Sequence, residues 1–308
     1  MTTISTAWNA KKYLNPRAPE GSGGKLVEEI FEIGFDSIEL NIEIPEPVYR
    51  EIITALKKRN MKVISVHNFF PRVTPPEGRS LLSAYLLSSK NEEEREKAMA
   101  LTKNTIDYAC ESGAKAIVVH FGFVETEIKT AKLIELYKNN SMEELAFLRD
   151  KLIEERSKNN KIYLELAMKS LDVLCKYARD KNIKIGLESR YYYEEIPDFE
   201  EVGVILDKFK GDSVYYWHDT GHAQVAENLG FAKHEDFLKC YNKKMLGIHI
   251  HDIVGCNDHK APGVGSLDFK MIKKYLNGGV LKVLEPHSKV TREELVTALN
   301  FLKSIDIL

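Results

Sequence analysis

Short apolar runs alternate with longer segments of helical period along the whole chain. Eight runs read as strands: Ile4–Trp8, Ser37–Asn41, Lys62–His67, Ala116–His120, Lys184–Glu188, Val214–Asp219, Leu246–His251 and Val280–Glu285. Between and after them the apolar positions recur every three to four residues, over Gly24–Ile33, Glu46–Arg59, Glu92–Ser112, Tyr163–Lys181, Glu200–Phe209, Ala223–Leu229 with Glu235–Cys240, Phe269–Tyr275 and Arg292–Ser304. Strand–helix alternation predicts an α/β fold with a parallel sheet. Eight such units in 308 residues predict a closed (β/α)8 TIM barrel rather than an open sheet. No internal repeat, low-complexity tract or linker divides the chain, so residues 1–308 are expected to form a single domain. Between strands four and five an extra stretch, about 121–160, is rich in Lys, Glu and Leu. It predicts a helical insertion, read as one or two solvated helices over the barrel rim, with a lid or an oligomer contact as the functional alternative.

Barrel active sites lie at the C-terminal ends of the strands, and here those ends carry polar residues with unusual regularity. Strand three ends at His67 in KVISVHNFF, and strand four at His120 in AIVVHFG. Strand five ends at Glu188 in KIGLES. Strand six, VYYWHDTGH, brings Asp219 and His222; strand seven, LGIHIHD, brings His249, His251 and Asp252; strand eight, VLKVLEPH, ends at Glu285. Alternation puts Glu188 on one face with Gly186, Asp219 with Trp217, His249 with His251 and Glu285 with Val283, while His218 points the other way. Each candidate can therefore face the barrel interior above a small or apolar residue. A carboxylate facing the helix layer instead would be costly unless paired.

Imidazole and carboxylate together suit zinc, manganese, iron or cobalt. Two Glu, one Asp and one His make a hard, anionic set that leaves a position for water or substrate. Taken singly each is weak: a His at a strand end is more often a satisfied polar residue, and a Glu a salt-bridge partner. Their coincidence on four strand ends carries the reading. Gly221 permits a tight Asp219–Thr220–Gly221–His222 turn. Arg190, two residues after Glu188, is a candidate to hold a substrate hydroxyl or phosphate, with a rim salt bridge as the equal alternative. His234 and His287 are expected to be structural.

Composition narrows the partners more than the fold. The hydrophobic fraction of 44% and charged fraction of 29% are ordinary for a soluble globular protein. The 44 Lys and Arg against 46 Asp and Glu leave a formal charge of −2, so no strong field favours nucleic acid or an acidic membrane. None of Cys110, Cys175, Cys240 and Cys256 forms a CxxC pair. Three lie in predicted helices, where a buried free thiol is expected, and Cys256 reads as a loop cysteine near the site. The N-terminus, MTTISTAWNAKKYLNP, has no apolar signal core, and no stretch approaches the length of a membrane span. A cytoplasmic protein with reduced thiols is the expectation.

LES at strand five, HDTGH at strand six, HIHD at strand seven, NDHKAPGVGSLDF just after it and LE at strand eight resemble the xylose isomerase-like barrels. That family includes endonuclease IV-type enzymes and sugar isomerases and epimerases. The resemblance covers most of the chain, and the combined pattern HIHD…DHxxPGxGxxDF is its specific part. It implies a core site for a divalent metal, zinc or manganese, at Glu188, Asp219, His249 and Glu285. His249 is preferred to His251 because the family pattern reads His-x-x-acid and Asp252 lies three residues after His249; His251 is then a pocket residue, with a second ligand as the alternative. The endonuclease IV branch uses three metals. Its further ligands match His67 and His120 for one ion, and His222 with an Asp-x-His pair for another, so one to three ions are expected. Here that pair reads Asn257–Asp258–His259, with Asn257 in place of the first acid and Asp258 adjacent.

Fold alone does not decide among the chemistries this scaffold hosts. The favoured expectation is a sugar or sugar-phosphate isomerase or epimerase. The resemblance implies that Glu188 and Glu285 flank the substrate as the catalytic pair and exchange its proton. Arg190, His222 and His251 would contact the sugar, and the segments NFFPRVTPPEG and RYYYEEIP would wall the pocket. The alternative is a metal-dependent phosphodiester hydrolase acting on abasic DNA, for which His67, His120, His222 and His259 speak. Asn257, the balanced charge and the lack of an obvious basic loop set speak against it. A third alternative is a non-catalytic sugar- or metal-binding barrel, against which the complete carboxylate set argues. The expected partner is a small sugar or sugar phosphate, not nucleic acid or a membrane, and a homo-oligomer is compatible with the composition.

Overall fold

Eight parallel strands close on themselves in the computed structural model, which describes residues 2–14 and 19–308. They are β1 (Thr3–Ser5), β2 (Ser37–Leu40), β3 (Lys62–His67), β4 (Ala116–Val119), β5 (Lys184–Glu188), β6 (Val214–Asp219), β7 (Met245–Ile250) and β8 (Leu281–Leu284). Each pairs with its neighbours in sequence, and β8 returns to β1 through Thr3 and Val283. Helices follow the strands and cover the outside, as the αβ alternation requires. The part of the N-terminal stretch at residues 15–18 lies outside the described residues. Among the described residues no helix is long and apolar enough to cross a membrane.

Two elements differ from their expected form. The first strand stops at Ser5, and Thr6–Trp8, read as strand, is a single turn of tight helix capped by the Ser5 hydroxyl. The apolar side chain that prompted the longer strand is Trp8, which instead donates from Nε1 to the Val290 carbonyl at 2.8 Å. The insertion is the second difference. Besides a helix at Thr130–Lys138, it supplies the first half of one 39-residue helix, Met142–Asp180, that runs without a break into the helix after it. It is also not merely solvated. Arg156 in that helix is 1% exposed and reaches Asp198 Oδ2 and Glu201 Oε2, both at 2.6 Å, and the Glu195 carbonyl at 3.0 Å. Those residues belong to the loop after β5 and to the capping box that starts the helix Phe199–Lys208. Glu195–Ile196 pairs in turn with Gly122–Phe123, which joins the loops after β4 and β5. The thiols divide similarly: Cys175 and Cys256 are buried, whereas Cys110 and Cys240 are exposed, contrary to a uniform buried placement in helices.

The barrel interior is filled by Ile64, Ala116, Val118, Trp217, Leu246, Leu281 and Val283. Trp217 is the bulkiest of them, and it fits because glycine stands beside it on both neighbouring strands. A Cβ on Gly186 would lie 2.8 Å from the indole, and one on Gly247 only 2.3 Å from it. We expect Gly247→Ala to destabilise the fold by about 1–3 kcal/mol through overpacking, read as a lower midpoint in urea denaturation. An unchanged midpoint would show that Trp217 is not confined as described. This packed floor lies directly beneath the polar ends of β5, β6 and β7.

Candidate metal centre

Glu188 ends β5, Asp219 ends β6, His249 lies one residue from the end of β7, and Glu285 follows β8. All four are buried, at 6% exposure or less. One ligand atom from each lies within 4.8 Å of those of the other three. His249 stands at their centre. Its Nδ1 is 2.6 Å from Glu188 Oε1, 2.9 Å from Glu285 Oε2 and 3.7 Å from Asp219 Oδ2. Strand parity produces this convergence: Asp219 is the register partner of His249 on one side and Val283, two residues below Glu285, is its partner on the other.

Two further groups flank the quartet. His67 and His120, whose rings meet edge to face at 4.7 Å, gather on the outer side of Glu188, and His120 Nε2 is 2.6 Å from Glu188 Oε2. On the other side Asp219 gathers with His222 and His259. His222 is held by its backbone N–H, which donates to Asp219 Oδ1 at 2.8 Å, and by its Nδ1, 2.9 Å from the Ser189 carbonyl. Its Nε2 faces Asp258 Oδ2 at 3.7 Å, and His259 Nδ1 is 2.9 Å from the same oxygen. Asn257, by contrast, is exposed, so the carboxylate on this side comes from Asp258. The reason is the hairpin of Asp252–Val254 against Asn257–Lys260, whose irregular register pairs Asn257 with Val254 at the turn.

His251 takes a different place from His249. Its Nε2 is 3.0 Å from both Asp219 oxygens, and its Nδ1 accepts from the His259 backbone N–H at 2.9 Å. Gly221 makes room for it, since a Cβ there would come within 2.2 Å of the imidazole. Asp252 turns away from the centre. Its carboxylate accepts from the backbone N–H groups of Ile253, Gly263, Gly265 and Leu267 at 2.8–3.1 Å, which shapes the PGVGSLDF loop. Gly265 is needed there because a Cβ would meet the Ile253 carbonyl at 2.2 Å. Arg190 spans Glu188 and Glu195 with its guanidinium, with the second contact at 2.8 Å. Its side chain is 6% exposed, so it is a buried charge partner of the centre. Of the aromatic segments, Tyr191 stands beside His222 at 5.7 Å, whereas Phe70 turns into the helix layer against Tyr49 and Tyr108. His218 and His234 hydrogen-bond to each other at 3.0 Å behind the barrel wall, and His287 stacks on His259 at 3.8 Å.

Burial opposes every charge in this site, and the neighbours decide the outcome. The Glu188 carboxyl is held well below the ordinary glutamate range by His120, His249 and Arg190. His249 brings Glu285 down to about 2. Asp219 is lowered by His222 and His251. Conversely the Glu285, Glu39 and Glu188 carboxylates hold His249 well above the usual histidine value, and Asp219 pulls His251 upward against burial. Burial and Arg190 push His120 down to about 4, so it stays neutral at pH 7. The residue that sequence reading missed is Glu39. It is fully buried inside the barrel and places both carboxylate oxygens 3.2 Å from His249 Nε2. Three carboxylates around one imidazole nitrogen, all buried, fit a divalent cation in charge and donor type.

The curated relative that matches is an uncharacterised protein, y4fM, of Sinorhizobium fredii, 21% identical over 187 residues. The match takes in 60% of this chain and 50% of that protein, so the chain spans about half the length of its relative. A D-tagatose 3-epimerase-like protein superposes with a TM-score of 0.68 at 20% identity, covering 99% of this chain and 96% of the other. D-psicose 3-epimerase from Clostridium cellulolyticum superposes at 0.67 and 15%, covering 99% and 98%. A 3-keto-D-glucoside 4-epimerase from E. coli superposes at 0.64 and 16%, covering 93% and 95%. At these identities the likeness establishes the shared fold. The family model described as the xylose isomerase-like TIM barrel matches residues 27–305. With nearly the whole barrel inside that match, the chain belongs to the xylose isomerase-like TIM-barrel family.

Proposed function

We propose that this chain is a metal-dependent sugar or sugar-phosphate isomerase or epimerase in which Glu188 and Glu285 exchange a substrate proton. The observation that carries the reading is the pairing of two buried glutamates that reach the same point from β5 and β8, on either side of β6 and β7. In the free site the neighbours pull both carboxyls downward, so either can serve as the one that accepts a proton from a carbon next to a carbonyl. One glutamate, ionised, would take that proton, and the other, which has to enter the step carrying a proton, would return it from the opposite flank, so that the centre inverts and the protonation of the two carboxyls is exchanged. A divalent ion at Glu188, Asp219, His249 and Glu285, with zinc or manganese suited to three oxygens and one nitrogen, would polarise the carbonyl oxygen. His222, whose Nε2 has its nearest partner only at 3.7 Å, would contact a hydroxyl, His251 supports Asp219 with its Nε2, and Arg190 keeps Glu188 charged. Structural neighbours known as keto-sugar epimerases or epimerase-like proteins accord with this substrate class.

A second reading rests on the two flanking groups, His67 with His120 and Asp219 with His222 and His259. Three adjacent ion sites would suit hydrolysis of a phosphodiester at an abasic site. Against it stands the supply of cations: a DNA enzyme must neutralise many phosphates, and this chain balances 44 Lys and Arg with 46 Asp and Glu. The two readings separate in one experiment. Metal-loaded protein in D2O is given a panel of ketoses and their phosphates, and separately an abasic duplex. Deuterium uptake next to the carbonyl with interconversion of epimers, and no incision, is the expected result. Efficient incision lost in Glu188→Gln, with no exchange into any sugar, would replace the proposal with the hydrolase.

A further inference from the structure

We propose that Glu39 is a positioning residue that fixes the tautomer of His249 and thereby sets how tightly the centre holds a divalent cation. The inference rests on the metal-centre reading above and goes beyond its four ligands. A neutral imidazole carries one proton, and only the other nitrogen has a lone pair to give. His249 Nδ1 faces three carboxylates, two of them at 2.6 and 2.9 Å, and is the nitrogen turned toward the quartet, so the ring can ligate there only with its remaining proton on Nε2. A protonated Nδ1 is no ligand. The partner on the other side is Glu39, with both oxygens 3.2 Å from Nε2. A carboxylate oxygen facing Nε2 accepts its N–H, so this contact holds a proton on Nε2 and assigns Nδ1 as the ligating nitrogen.

Glu39 is itself held in place. Its Oε2 accepts from the Ser65 hydroxyl at 2.8 Å, and Ser65 is its register partner on β3. Glu39, Ser65 and His249 are all fully buried, so water does not compete for these bonds. A carboxyl side chain with only a hydroxyl and an imidazole as its partners is expensive inside a barrel. The structure connects that expense to one ring nitrogen of the central histidine. Trp217 meets the same ring edge to face at 5.2 Å and limits its rotation, so the proton position is what Glu39 controls.

The test uses the full chain and Co2+ as the probe ion, read by visible absorption and by competition with a chelator. Partners of this kind change affinity by about 10–100-fold when removed. Glu39→Gln, which keeps an acceptor near Nε2 but loses the charge, is expected to weaken Co2+ binding by about 10-fold, and Glu39→Leu by about 100-fold with a shifted ligand-field spectrum. Ser65→Ala is expected to show a smaller loss in the same direction. Far-UV circular dichroism establishes that each variant folds, and Glu39→Gln and Ser65→Ala keep the test decisive if Glu39→Leu does not. Folded Glu39→Gln with wild-type Co2+ affinity and spectrum would overturn the role of Glu39 alone. A wild-type chain that takes up no Co2+ would overturn the metal centre, and this inference with it.

Discussion

Glu188→Gln and Glu285→Gln are each expected to lower kcat by about 10²–10⁴-fold, the range that positioned acid–base groups supply, while the fold persists. The physical ground is the difference between what these carboxylates do for chemistry and what they do for stability. Both sit above the packed floor of the barrel, where substitution leaves the Trp217 layer untouched. Glutamine keeps the shape and one acceptor oxygen, so the contacts of Glu188 with His120 and Arg190 lose charge but not volume. Glutamine cannot take a proton from carbon. The loss should therefore appear in kcat, with KM changed less and the circular dichroism spectrum retained. The two variants should also resemble each other, because a proton taken on one flank and returned on the other needs both groups. Wild-type turnover in both variants would refute the acid–base assignment.

How much of this was legible in advance depends on what alternation can see. In β5, β6 and β8 the ligand-type residue ends a run of apolar neighbours, so parity and position single it out. Glu39 has the same parity but a different surrounding. In Ser37–Ile38–Glu39–Leu40 the polar residues alternate with apolar ones, a pattern that reads as a strand with one wet face. Closing the barrel turns that face inward and gives Glu39 and Ser65 a common buried partner in His249. Nothing local in β2 reports on a histidine 210 residues away. Between Asn257 and its neighbour Asp258 the choice stayed open for another reason. Motif spacing pointed to Asn257, and only the irregular hairpin register decides which of two adjacent side chains faces His222. The insertion was visible as helix-forming composition, but its attachment hangs on Arg156, one of many charges in a Lys- and Glu-rich stretch. Long-range charge pairs of this kind leave no periodic trace.

Loading with zinc or manganese is expected to raise the thermal midpoint of the wild-type chain by several degrees, and Asp219→Asn to remove most of that rise. An ion that binds only the folded state stabilises by linkage, by about 4 kcal/mol at 1,000 times its dissociation constant. The apo site carries a standing electrostatic cost that the ion relieves. Glu188, Asp219 and Glu285 converge with Glu39 below them, and the compensating charges are Arg190 and the proton on His249. Held at the quartet, a divalent ion would supply two charges where the His249 imidazolium supplies one. Asp219→Asn tests this without dismantling the turn, because asparagine Oδ1 still accepts from the His222 backbone N–H that Asp219 now receives at 2.8 Å. The apo variant should therefore melt near the apo wild type and respond little to added metal. Anomalous scattering from crystals of the loaded protein gives the identity and number of the ions together. Density at the quartet alone supports one working ion, and added density beside His67 and His120 or beside His222 and His259 supports two or three. A quartet left vacant after incubation with both metals, or an ion bound elsewhere, would refute the metal centre, because the charge imbalance that drives the prediction would then be met by the protein alone.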